Sequence, residues 1–143
     1  MGEITQAVKI PLTPEELVGL ATRILAAHKG QDLVILNVRG LCGYADYFLI
    51  CSGGSRRHVL ALAQHLQEDL SRDGVRPLGV EGLEEGQWVL LDYNDIIIHL
   101  FIKPLREFYD LEGLWLEAGR LTAADFLPPE KQISSQSHPV EGS

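Results

Sequence analysis

The stretch WVLLDYNDIIIHLFI, residues 88–102, decides the fold. On either side of Tyr93-Asn94, a set of purely aliphatic side chains alternates with a set that also contains aromatic and charged ones. We predict a β-hairpin with strands at 87–92 and 95–102. Tyr93 and Asn94 occupy its turn, since asparagine tolerates positive φ. The period of two in each strand then assigns every side chain to one of two faces.

The two faces of this hairpin differ in chemistry. One is purely aliphatic and belongs to a core: Val89, Leu91, Ile96, Ile98, Leu100 and Ile102. The other mixes aromatic, aliphatic and charged residues: Trp88, Leu90, Asp92, Asp95, Ile97, His99 and Phe101. The expected register sets Asp92 opposite Asp95, and like charges in that position destabilise a sheet. The mixed face is therefore either a partner surface anchored by Trp88 or a face that a helix covers, with His99 as a core histidine.

Outside the hairpin, helical and strand patterns alternate. We predict helices from Pro14 to before Gly30, from Ser55 to before Gly74 and from Pro104 to about Glu117, and strands at 33–38, 47–52 and 75–80. This order predicts an α/β (α+β) fold, a single domain with a mixed β-sheet of about five strands and helices packed on it. Residues 1–12 form an N-terminal segment, 13–121 the domain and 122–143 a tail, whose composition predicts disorder from about residue 128.

Composition and charge narrow the class of protein. The 143 residues are 45% apolar and carry a net charge of −8, which suits one globular domain and disfavours direct DNA or RNA binding. No apolar run reaches the ~20 residues of a membrane helix. Cys42 and Cys51 fit no metal or disulfide pattern and are interpreted as reduced thiols. Without a recognisable targeting segment, a cytoplasmic protein is expected.

The acidic residues are concentrated in one part of the chain. Residues 81–117 hold nine acids and two bases, a balance of −7. The same segment ends in a predicted helix whose apolar residues cover more of its circumference than a single core-facing stripe. They are Phe108, Tyr109, Leu111, Leu114, Trp115 and Leu116. Acids beside aromatic residues favour docking onto a basic protein; the alternative is an acidic helix face in solvent.

The turn CSGGSRR, residues 51–57, is the best argument for an enzyme. A glycine turn between a strand and a helix is a natural anion pocket, and Arg56, Arg57 and His58 are candidates for contact with an anion or RNA. The turn lacks the lysine of a P-loop, and the strand with a metal-binding carboxylate pair that a nucleotidyltransferase carries after such a turn does not follow here, so nucleotidyl transfer stays the alternative reading. We expect no catalytic residue, cofactor or metal, and we expect Ser55 to cap the helix.

Taken together, these residues resemble the ribosomal silencing factor family, RsfS or Iojap, over about residues 14–115. The segments that carry the resemblance are GQD (30–32), ADYFLICSG (45–53), SRRHV (55–59), VEG (80–82), WVLLDYNDIIIH (88–99) and REFYDLEGLW (106–115). Their order and spacing make the match specific.

The resemblance implies a translation repressor without enzymatic activity. Such a factor binds the large ribosomal subunit through ribosomal protein L fourteen and sterically blocks association with the small subunit, lowering translation in nutrient limitation or stationary phase. The implied fold is similar to nucleotidyltransferases without their catalytic acids. The implied state when free is a homodimer, and neither DNA nor a membrane is an expected partner. We predict that the residues in contact with the ribosomal protein are Trp88, Asp92, Tyr93, Asp95, His99, Tyr109 and Glu112.

Overall fold

The computed structural model describes residues 12–115 and 118–121. Its elements are, in order, α1 (Pro14–Ala27), β1 (Gln31–Asn37), β2 (Tyr47–Gly53), α2 (Arg56–Arg72), β3 (Gly79–Glu81), β4 (Trp88–Asp92), β5 (Ile96–Ile102), α3 (Lys103–Tyr109), α4 (Leu111–Leu114) and β6 (Gly119–Leu121). The tail, and all of the N-terminal segment except Leu12, lie outside the described residues.

The strands form one mixed sheet in the order β3-β4-β5-β2-β1-β6. β2 and β5 run parallel at its centre, and the other neighbours are antiparallel. The predicted fold class is confirmed, with six described strands where about five were expected. The additional strand, β6, pairs three residues with the outer edge of β1 and is too short to show a period in the sequence.

Helices cover both faces of the sheet. α1 and α2 pack on an aliphatic face, where the side chains of Ile35, Leu49 and Ile98 are fully buried. α3 and α4 cover the opposite face, whose core contains Phe48 and Phe101. The aliphatic face predicted for the hairpin is thus confirmed as core, and the mixed face is largely covered by the C-terminal helices.

The predicted hairpin register is wrong by two residues. Asp92 pairs with Ile97 and not with Asp95, and Trp88 pairs with Phe101. The turn consists of Asn94 and Asp95, because the left-handed φ of 74° falls on Asn94 as the first turn residue. A shift of two keeps every side chain on its predicted face, but it removes the expected pair of opposed carboxylates.

The first strand spans Gln31–Asn37 where 33–38 was predicted, and two other element boundaries differ by more. The third strand begins at Gly79 rather than at residue 75, since Pro77 has no N–H to donate to a ladder. The last helix is broken at Asp110, which takes a left-handed φ of 46° and separates α3 from α4. By contrast, the start of α1 is confirmed, with Thr13 and Glu16 exchanging the two hydrogen bonds of a capping box.

Candidate interaction surface

Trp88 lies at the centre of an aromatic cluster on the covered face of the sheet. Its ring centroid lies 4.8 Å from that of Phe101 on β5 and 5.0 Å from that of Tyr109 on α3. The indole Nε1–H donates to Nδ1 of His99 at 3.2 Å. Trp88 therefore joins the hairpin to α3, and it remains half-buried.

His99 is the buried member of this cluster, with 5% of its surface exposed. Burial lowers the pKa of its imidazole to about 4, because the charged form would lose its hydration. The neutral ring can accept the hydrogen bond from Trp88, and it packs edge to face with Phe48, 5.4 Å away between ring centroids. His99 is thus a core histidine, as the second reading of the mixed face expects, whereas Trp88 keeps part of the exposure that the first reading requires.

A pocket of about 370 Å³ opens beside the indole ring. It is lined by Gly82, Glu84, Glu85, Gln87, Trp88, Leu105 and Tyr109 and is here called the Trp88 pocket. Glu84 and Glu85 are exposed, so the pocket combines aromatic walls with carboxylates in solvent. A lysine or arginine side chain suits such a pocket, since the cation meets both a π-face and negative charge.

One residue of the pocket lining, Gly82, has a backbone conformation that favours glycine. Gly82 has a φ of +90°, and a Cβ at this position would overlap the carbonyl oxygen of Trp88. The backbone of the β3–β4 loop therefore approaches β4 more closely than any other residue type allows.

Apolar side chains extend the surface beyond the pocket. Phe108 is 78% exposed and Tyr109 48% exposed on α3, and Leu114 on α4 is 74% exposed. The rings of Phe108 and Tyr109 lie 5.1 Å apart between centroids, and exposed apolar patches mark interaction sites. We call Trp88, Leu105, Phe108, Tyr109 and Leu114 the aromatic surface.

The remaining predicted contact residues of the hairpin lie at its turn. Asp92 is four residues from Trp88, about 13 Å along the strand, and its carboxylate accepts from the N–H of Asn94 at 2.8 Å. The side chain of Asp95 is exposed. Tyr93 is 5% exposed, and burial raises the pKa of its hydroxyl to about 12. The structure thus brings together Trp88, His99 and Tyr109 and places the turn residues apart from them.

Glu112, also predicted as a contact, is engaged within the fold. Its carboxylate accepts from Nη2 of Arg106 at 2.9 Å and from Nε at 3.4 Å. Burial alone would raise the pKa of Glu112, but these hydrogen bonds and the guanidinium charge outweigh it and lower the pKa below its ordinary value. Arg106 in turn donates to the buried Ser52 hydroxyl at 2.9 Å.

Polar groups of the glycine turn form hydrogen bonds within the fold. The Gly54 N–H donates to Nδ1 of His58 at 2.9 Å, and Nε2 of His58 lies 2.9 Å from the carbonyl oxygen of His28. His58 therefore contacts the fold. Ser55 caps α2 as predicted, accepting from the His58 N–H. Arg56 and Arg57 are exposed, and neither forms an ion pair with another described residue.

Sequence reasoning missed part of the pocket lining. Glu84, Glu85 and Leu105 were not singled out, although the first two belong to the acidic segment that the charge balance revealed. Phe108 and Leu114 had a signal too, since the apolar residues of the last helix exceed one core stripe.

Cys42 and Cys51 are buried free thiols, and burial raises the pKa of Cys51 to about 11.

Among the helices of residues 12–115 and 118–121, none has both the length and the hydropathy of a membrane span. The same residues contain no group of three or more histidine, cysteine or acidic side chains placed to hold a metal ion.

Comparison with known proteins gives consistent matches. The family model described as ribosomal silencing factor during starvation matches residues 11–142. The chain is 37% identical over 107 residues to the ribosomal silencing factor RsfS of Halalkalibacterium halodurans, covering 75% of this chain and 92% of that protein. It is 30% identical over 127 residues to the Mus musculus protein named mitochondrial assembly of ribosomal large subunit protein 1, covering 87% and 53%. A crystal structure from Chromobacterium violaceum superposes with a TM-score of 0.71 at 36% identity, covering 73% of this chain and 87% of that one.

Proposed function

Because the chain belongs to the ribosomal silencing factor family, we propose that it binds the large ribosomal subunit through ribosomal protein L fourteen. Bound at the subunit interface, it sterically blocks association with the small subunit and represses translation in nutrient limitation or stationary phase. In this proposal the protein acts by occupying a site, without catalysis, in the cytoplasm, and it is a homodimer when free.

The observation that carries the proposal is the Trp88 pocket within an acidic segment. Ribosomal proteins that lie against RNA are rich in lysine and arginine, and the pocket offers such a side chain aromatic walls and the carboxylates of Glu84 and Glu85. The balance of −7 over residues 81–117 would steer a basic partner toward it and raise the association rate.

The predicted contact residues divide by position in this proposal. Trp88 and Tyr109 present aromatic area at the pocket, and Asp92 and Asp95 present charge at the hairpin turn. His99 is buried and fixes the indole of Trp88 by accepting its hydrogen bond. Tyr93 and Glu112 are also more buried than exposed and would contribute through the shape of the surface. Arg56 and Arg57 remain proposed contacts with ribosomal RNA, and we propose no role there for His58.

Co-sedimentation tests the proposal. The purified protein is centrifuged with separated large and small subunits, and the formation of joined ribosomes is then measured in its presence. We expect selective binding to the large subunit and loss of joined ribosomes. Binding to neither subunit at moderate salt, or binding that leaves joining unchanged, would contradict the proposal. Equal binding to unrelated basic proteins would indicate a general acidic adaptor instead.

A further inference from the structure

The two C-terminal helices meet at a break that creates a contact. In an uninterrupted α-helix, residues six apart are rotated by about 240° and point away from each other. Asp110 interrupts the helix with its left-handed φ, and its carboxylate accepts from the Gly113 N–H at 3.2 Å. As a result, Nη2 of Arg106 on α3 lies 2.9 Å from Oε2 of Glu112 on α4.

This ion pair is largely removed from water. Arg106 is 8% exposed, and 16% of the Glu112 side chain is accessible. The guanidinium also donates to Ser52, which is fully buried in β2. We call Arg106, Glu112 and Ser52 the clamp. It ties α3, α4 and the central strand together in one geometry, because a planar guanidinium forms two parallel bonds only in a fixed orientation.

The clamp separates two exposed parts of the aromatic surface. Phe108 and Tyr109 precede the break, and Leu114 follows it. Tyr109 is further held by Trp88, and the adjoining Trp115 packs edge-on against Phe48 at 5.3 Å between ring centroids. The angle between the two short helices therefore decides whether these side chains present one surface.

We propose that Arg106 and Glu112 are positioning residues that hold α3 and α4 in the orientation in which the aromatic surface binds its ribosomal partner, an inference that rests on the proposed function. Stability alone does not account for such a pair, since apolar residues of similar volume often replace a buried ion pair without loss. Orientation does account for it, because apolar contacts are not directional. Glu112 thus acts through Arg106 and not by touching the partner.

The test compares affinity with stability in the full-length protein. Glu112→Gln keeps the shape of the side chain and removes its charge, while Arg106→Met with Glu112→Leu replaces the pair by apolar groups. Affinity for the large subunit, urea unfolding and the near-ultraviolet circular dichroism of the indoles are measured for each. Val18→Ala is the matched control, because Val18 is a buried residue of α1 in the aliphatic core, on the opposite face of the sheet from the clamp.

We expect Glu112→Gln to bind at least tenfold more weakly and to change the indole dichroism at a temperature where it is fully folded. Val18→Ala should bind like the wild type under those conditions. The apolar double variant should recover stability without recovering affinity. If Glu112→Gln does not fold, the double variant decides the question.

Wild-type affinity in the double variant, or in a folded Glu112→Gln protein, would overturn the positioning role and leave the proposed function intact. An equal loss of affinity in Val18→Ala would also overturn it. Absence of binding by the wild-type protein would instead contradict the proposed function itself.

Discussion

The Nε1–H of Trp88 and Nδ1 of His99 lie 3.2 Å apart in a hydrogen bond that crosses from β4 to β5. The donor belongs to the wall of a pocket open to solvent, and the acceptor is buried and must be uncharged at that nitrogen to accept. The orientation of the indole is therefore linked to the protonation state of a core histidine. Because burial lowers the pKa of His99, the pH dependence of stability reports whether this ring stays buried and neutral beneath Trp88.

Stability should fall as the pH is lowered from about 6.5 to about 4. The folded-state pKa of His99 is about 4, against an ordinary value of 6.5. Between these values the unfolded chain binds a proton that the folded chain does not, so the free energy of unfolding decreases as the pH falls. The loss is about 3 kcal/mol at about 1.4 kcal/mol per pH unit. Above pH 6.5 the contribution of His99 is complete.

Urea unfolding of the wild type and of His99→Phe at pH 7.5, 5.5 and 4.0 measures this contribution. The phenylalanine fills the site and does not titrate. The unfolding free energy of the wild type, relative to that of His99→Phe, should therefore fall by about 3 kcal/mol between pH 7.5 and pH 4. Carboxylates that titrate in both proteins cancel in the difference. A difference that stays constant across the three pH values would contradict the assignment.

Trp88→Ala should weaken binding to the large subunit by about 2 kcal/mol or more, roughly 30-fold, if the indole is a hot spot. The reason is the loss of one pocket wall and of the contact to Tyr109. Tyr44→Ala is the control, since Tyr44 is an aromatic residue that is 65% exposed outside the Trp88 pocket. Unchanged affinity in a folded Trp88→Ala protein would exclude the indole as an anchor.

Asp95→Lys should slow association several-fold and change dissociation little, because an exposed charge at the edge of an interface acts mainly by steering. The effect should diminish as salt is added. Stopped-flow association with the large subunit measures it, with Asp73→Lys, an equal charge change at the end of α2, as the control. If both variants slow association equally, only net charge matters and Asp95 has no local role.

Gly82→Ala should destabilise the protein by about 2 kcal/mol or more and weaken binding, since a left-handed φ and an overlap with the Trp88 carbonyl add together. Gly79→Ala is the matched control on β3: no atom lies within 4 Å of its Cβ position, so its stability should change by only about 0.5 kcal/mol. Equal stability of the two variants, measured by urea unfolding, would show that the loop adapts.

The side-chain faces of the sheet and the start of α1 were predictable because each rests on a local rule. A period of two places Leu91 and Ile98 in the core whichever of two turns forms. That same degeneracy explains why the register was missed, since a shift of two residues leaves the pattern unchanged and only the backbone of Asn94 distinguishes the turns.

The Trp88 pocket and the clamp were beyond local rules. Helical spacing across residues 104–117 gives no sign of the break at Asp110, and without that break Arg106 and Glu112 do not meet. The pocket depends on Gly82, in a loop, approaching a strand six residues later. Such contacts follow from packing between elements and leave no periodic trace in the sequence.

The two layers of helices differ in length, and this has a consequence for motion. The aliphatic face is covered by helices of 14 and 17 residues, and the aromatic face by helices of 7 and 4 residues. Because helix formation is cooperative, opening such a short helix locally costs less free energy than opening a long one. Amide hydrogens of α3 and α4 should therefore exchange with solvent well before those of α1 and α2. Four of the five residues of the aromatic surface lie on this layer, and the fifth, Trp88, lies on the sheet, which should keep its shape while the short helices open.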